Sequence, residues 1–120
     1  MSANSSMHIE LIQGFSILKF SGDMDEAMIR RIRPTLECQL KNCRNPNYII
    51  DLGQVSFLDS YGVGLIICLL EKSHTRKGRL AITGATGQPQ KLLDIVGFNK
   101  MYVQFFDTAE DACTQFAQTG

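Results

Sequence analysis

Between Tyr48 and Leu70 the chain passes from a short apolar run into a much longer one, with only a few turn residues between. Tyr48–Leu52 is rich in β-branched residues and reads as a buried strand. Asp59-Ser60 then stands directly before a run of helical length that begins at Gly62. Asp and Ser are residue types that cap helix N-termini. A serine there lies beside unpaired backbone N–H groups and the positive end of the helix dipole, where a phosphate is well tolerated. From Gly62 to Leu70 the helix is apolar nearly all round. A surface helix has one apolar stripe, so this one is buried on most sides or shows apolar surface to a partner.

The rest of the chain supplies more of the same alternation. Met1–Ser6 is polar and reads as a disordered tail, leaving 7–118 as one domain. His8–Ile12 and Phe15–Ser21 are two apolar runs about the short turn Gln13-Gly14, which predicts an antiparallel hairpin ended by Ser21-Gly22-Asp23. Asp25 is a candidate N-cap for a helix with apolar positions Met28, Ile32, Leu36 and Leu40. Pro34 lies inside that pattern and predicts a kink there. The second helix runs from Gly62 to about Arg76, ended by Gly78. Arg79–Thr83 is a strand, Gly84–Gln88 a loop, and Pro89 suits the first turn of a third helix closed by Gly97. Met101–Phe106 is the last strand, and Asp107 with Glu110 predicts the cap of the last helix.

The order β-β-α-β-α-β-α-β-α implies an α/β fold: a mixed, mainly parallel sheet with an antiparallel first strand and about four helices. Its expected core is Ile49, Ile50, Leu52, Ile66, Leu69, Leu80, Ile82 and Leu93.

Charge and cysteine usage narrow the functional classes. Twelve basic residues balance twelve acidic ones, which gives no steering toward nucleic acid or an anionic membrane. The apolar run at Val63–Leu70 is far short of the ~20 residues that span a bilayer, and Met1–Ser6 has none of the regions of a signal peptide. A cytoplasmic protein is expected. Cys38, Cys43, Cys68 and Cys113 include no Cys-x-x-Cys pair, so buried free thiols are expected and no metal or other cofactor.

The string Asp59-Ser60-Tyr61-Gly62-Val63-Gly64, after an apolar strand, resembles the STAS domain, the fold of the bacterial anti-sigma factor antagonists. Phe20–Asp25, Lys91–Phe98 and Asp107–Ala112 resemble other segments of that family, in the right order. The resemblance implies a non-enzymatic binding switch in which Ser60 is the regulatory phosphorylation site. It also implies an anti-sigma factor with serine-kinase activity as partner, a phosphoserine phosphatase, and release of a sigma factor for transcription. The family often has a second serine where this chain has Tyr61. The same fold serves as a non-switching scaffold in stress-signalling complexes and as a subunit of a lipid-transport system, which is the alternative reading. The partner-binding surface is expected at Asp23, Asp25, Asp59, Ser60, Tyr61, Gly62 and Val63, with part of Gly84–Gln88.

Three other chemistries fit less well. A hydrolase built on Ser60 needs a base, and His74, fourteen residues along the same helix, would lie about 21 Å away. A phosphoaspartate receiver built on Asp51 lacks the acidic pair after the first strand and the Lys after the fourth. Gly84-Ala85-Thr86-Gly87 and Gly62-x-Gly64 match neither nucleotide-binding fingerprint, and turn geometry explains them.

Overall fold

The computed structural model describes residues 5–101 and 103–119. Five strands form one sheet in the order β1-β2-β3-β4-β5. They are β1 (Ser6–Ile12), β2 (Phe15–Met24), β3 (Tyr48–Leu58), β4 (Leu80–Thr83) and β5 (Val103–Phe106). β1 pairs antiparallel with β2, and the remaining pairs are parallel. The helices are α1 (Glu26–Lys41), α2 (Ser60–Thr75), α3 (Gly87–Val96) and α4 (Ala109–Thr119), with a single 3₁₀ turn at Phe98–Lys100. The expected α/β architecture is present, and all eight expected core residues are buried.

Strand alternation divides that core in two. Leu18, Phe20, Ile50, Leu52, Leu80 and Ile82 face α1, α2 and α3. Ile17, Ile49 and Ala81 point the other way and meet Ala109, Ala112, Cys113 and Phe116 of α4. β3 is apolar on both faces because it is the central strand, covered from both sides.

The hairpin joining β1 to β2 has the two-residue loop Gln13-Gly14, with φ of 54° and 85°. Positive φ at both positions is the signature of a type I′ turn, whose twist matches the flanking strands. The N-terminal tail was expected to run through Ser6. β1 already begins at Ser6, and Ser5 is buried, its hydroxyl bonded to both the N–H and the carbonyl of Asp23. The remainder of that tail lies outside the described residues.

Two strands outrun their expected ends. β2 continues through Gly22-Asp23 to Met24, and β3 continues from Leu52 to Leu58. The pairing of Lys19 with Asp51, Ser21 with Gln54, Gly22 with Val55 and Asp23 with Phe57 requires two extra residues in β3. Each is a bulge. They change the inward spacing from two residues to three, so Leu52, Val55 and Leu58 are buried with exposed pairs between them. β4 pairs with β3 only as far as Asp51. Further along, the side-chain amide of Gln88 stands in for a strand: its oxygen accepts from Leu58 N–H at 2.8 Å and its nitrogen donates to Leu58 C=O at 2.7 Å.

α1 runs through Pro34 without a break, as expected. Smaller corrections concern helix ends and thiols. α3 begins at Gly87, inside the stretch expected as a loop, with Pro89 in its first turn as expected. Thr108, not Asp107, caps α4: its hydroxyl accepts from Asp111 N–H and its carbonyl from Ala112 N–H. Of the cysteines only Cys113 is buried, and that burial, with Glu110 adding to it, pushes its thiol pKa up.

Replacing Gln88 by Ala removes two hydrogen bonds from the end of β3. The expected loss is about 1–2 kcal/mol, read by urea denaturation, with hydrogen exchange accelerated at Leu58. Unchanged stability and exchange would mean that water replaces the amide without cost.

Candidate functional site

β2 and β3 end side by side, and each passes straight into a helix through an aspartate. Asp25 caps α1, its Oδ1 accepting from Met28 N–H at 3.0 Å. Asp59 caps α2, its Oδ1 accepting from Tyr61 N–H at 2.9 Å and Gly62 N–H at 3.1 Å. Both have the extended backbone that an N-cap needs. Asp59 N–H donates to Met24 C=O at 3.2 Å, which ties the start of α2 to the end of β2.

The N-cap left open by the sequence is therefore Asp59, and Ser60 is the first residue of the helix. Ser60 is exposed, and its hydroxyl meets no hydrogen-bond partner among the described residues. A helix leaves its first four N–H groups without intrahelical partners. Here those of Asp59, Tyr61 and Gly62 are bound, to Met24 C=O and to the Asp59 carboxylate. Only the N–H of Ser60 is left to solvent.

The other expected site residues separate into two groups. Tyr61 is exposed, at 46% of its surface, while Asp23, Asp25 and Asp59 are half-buried at the rim. Asp23 lies opposite Phe57 in the sheet, and its main chain is held by the Ser5 hydroxyl. Gly62 and Val63 belong to the interior. Val63 is 8% exposed and packs in the core with Leu65 and Ile66, so it is not the surface contact expected of it. A Cβ on Gly62 would lie 2.9 Å from the Met24 carbonyl oxygen and collide with Leu58. Gly62 thus permits α2 to seat against the strand ends. From the Gly84–Gln88 loop, Gln88 reaches this end through Leu58.

Phe57 was not expected here. It is 43% exposed and precedes the Leu58-Asp59 corner, so Ser60 is flanked in sequence by exposed aromatic side chains at Phe57 and Tyr61. The sequence signal for it was weak, because the three-residue spacing of β3 disguises which apolar residues face outward.

Neither histidine is placed at the start of α2 beside Ser60. His74 is in the last turn of α2, and His8, in the edge strand β1, pairs with Glu10 at 3.3 Å. Asp51 Oδ1 accepts from Gly53 N–H at 2.9 Å, a local turn contact. Among the described residues no helix is long and apolar enough to cross a membrane.

The STAS domain family model matches residues 6–112. The chain belongs to the STAS family. A curated relative, the anti-sigma F factor antagonist of Paenibacillus polymyxa, is 22% identical over 112 residues, covering 93% of this chain and 95% of its own. The crystal structure of an anti-sigma factor antagonist from Mycobacterium paratuberculosis superposes with a TM-score of 0.82 at 22% identity, over 96% of this chain and 97% of that one. The anti-sigma factor antagonist SpoIIAA in its unphosphorylated form gives 0.81 at 18% identity, over 94% and 97% of the two chains. The phosphorylated form of Bacillus SpoIIAA gives 0.72 at 19% identity, over 92% and 99%. These three solved structures thus share the fold of this chain along nearly their whole length.

The close approach of this STAS domain's second helix makes a sharp prediction. Gly62→Ala should destabilise the fold by about 1–3 kcal/mol, and Val63→Asp by several, because it buries an unpaired charge. Gly64, whose Cβ would meet nothing within 4 Å, is the control: Gly64→Ala should be neutral or stabilising. Thermal or denaturant unfolding of the three variants reads the difference.

Proposed function

We propose that this protein is an anti-sigma factor antagonist whose binding is switched by phosphorylation of Ser60. The carrying observation is that Asp59 performs the capping, which leaves the Ser60 hydroxyl exposed and without a structural task. The partner is an anti-sigma factor with serine-kinase activity, and a phosphoserine phosphatase resets the switch. Sequestering that partner frees a sigma factor for transcription. The curated relative is named for this activity, and SpoIIAA is known in unphosphorylated and phosphorylated forms.

The binding surface is the exposed rim around Ser60: Phe57, Tyr61 and the carboxylates of Asp23, Asp25 and Asp59. Gly62 and Val63 act beneath it by setting the position of α2. Aromatic side chains that are half exposed in the free protein are suited to fill pockets on a partner.

A phosphate on Ser60 adds roughly −1.5 to −2 charges at neutral pH. On the free protein it meets the Ser60 N–H and the positive end of α2, so the fold tolerates it. In an interface it must lose water beside the Asp59 carboxylate, and a poorly paired buried charge costs several kcal/mol. Repulsion in the interface outweighs tolerance in the fold, and phosphorylation releases the partner.

Ser60→Ala should therefore bind the partner constitutively, and Ser60→Asp should bind it at least roughly tenfold more weakly. Incubation with the cognate kinase and ATP should place an acid-stable phosphate on Ser60, located by mass spectrometry. An acid-labile phosphate on Asp51 would point to receiver chemistry instead. No phosphate, with Ser60→Asp binding normally, would favour a permanent scaffold subunit in a stress-signalling or lipid-transport complex.

A further inference from the structure

At the end of the sheet opposite Ser60, the β1–β2 turn, the loops before β3 and β4 and the last turns of α4 enclose an open cleft of about 650 Å³. Its polar lining is Gln13, Asn45, Asn47, Lys77 and Arg79, over Phe15 and Phe116, with no carboxylate among the described residues. The two asparagines are committed in one direction. Asn45 Oδ1 accepts from Asn47 N–H at 2.8 Å, and Asn47 Oδ1 accepts from Arg79 N–H at 2.8 Å. A backbone N–H must face the amide oxygen rather than the NH₂, so the oxygens are engaged and the NH₂ donors of both amides are left uncommitted. Neither NH₂ group meets an acceptor among the described residues.

One of the two cations is held in place. Arg79 donates to Phe116 C=O at 3.0 Å, and its guanidinium lies 4.5 Å over the Phe116 ring. That holds a positive charge beside the cleft. Lys77 is exposed and takes part in no ion pair among the described residues. The non-glycine residues with positive φ among the described residues are Gln13 at 54° and Lys77 at 61°, and both line this one cleft. Such conformations are uncommon for non-glycine residues.

We infer that this cleft is a binding site for a small molecule bearing an oxyanion, a phosphate or a carboxylate, held by the Asn45 and Asn47 NH₂ groups and Lys77. Donors converging with cations, and no carboxylate among the described lining residues, favour an anion over a cation or a neutral apolar ligand. The volume admits a metabolite rather than a bare ion. The site is separate from Ser60 and does not depend on the switch.

The test is an amide NMR titration of the whole protein with inorganic phosphate and, separately, with malonate, at constant ionic strength. Saturable shifts confined to Gln13–Gly14, Asn45–Asn47 and Lys77–Arg79 are expected with at least one of them. A response to phosphate alone assigns a phosphorylated ligand, and to malonate alone a carboxylate. Asn47→Asp keeps the oxygen that Arg79 N–H needs but replaces the donor by a negative charge. It should weaken binding roughly tenfold or more while the remaining spectrum stays native. Lys77→Asn removes the charge with a residue that tolerates positive φ, and should weaken binding severalfold. No saturable shift with either anion, or binding undiminished in both variants, overturns the assignment.

Discussion

The close approach of α2 to the end of β2 is the constraint on which the Ser60 end depends. Asp59 N–H reaches the Met24 carbonyl, and the absent side chain of Gly62 leaves room for that same carbonyl. Once the helix is seated, Val63, Ile66 and Leu69 point into the core and Ser60 and Tyr61 point out. The direction in which the serine faces is thus set by a glycine two residues later. A helix started one turn further on, at Gly64, would find no comparable contact, since a Cβ there meets nothing within 4 Å.

Most of the architecture was legible because each element carries its own period. β-branched runs marked β3 and β4, spacings of four marked α1, and Gly97, in the left-handed conformation at φ 96°, marked the end of α3 as expected. What could not be read was the second half of β3. Two bulges give it a three-residue burial period, which matches neither a regular strand nor a helix. The glycine and glutamine of Gly53-Gln54 look like turn residues, yet they occupy exposed bulge positions. The same irregularity hid Phe57. It also made Val63 look like surface, because an almost wholly apolar helix does not declare which side is buried.

The two ends of the sheet also differ in chemistry, although the net charge is zero. At the ends of β2 and β3 stand Asp23, Asp25 and Asp59. At the opposite end Lys77 and Arg79 surround a cleft without carboxylates among the described residues. Helix polarity accounts for part of this. N-termini of α1 and α2 attract carboxylates, while helix C-termini attract cations: Arg79 donates to the Phe116 carbonyl in the last turn of α4, and Lys77 directly follows the C-cap of α2.

At the proposed phosphoacceptor the helix terminus is less welcoming than its dipole suggests. The Asp59 carboxylate already takes the N–H groups of Tyr61 and Gly62, so it has used the donors that an anion at this position would otherwise share. A phosphate on Ser60 has the Ser60 N–H and the remaining dipole on one side and a full negative charge one residue away on the other. At about 7–8 Å or less, within a Debye length at physiological salt, that repulsion is not screened out. The cap therefore does two things at once. Under the proposed switch it would free the hydroxyl to react, and keep the product from being so well held by the helix that the added charge would be hidden from a partner.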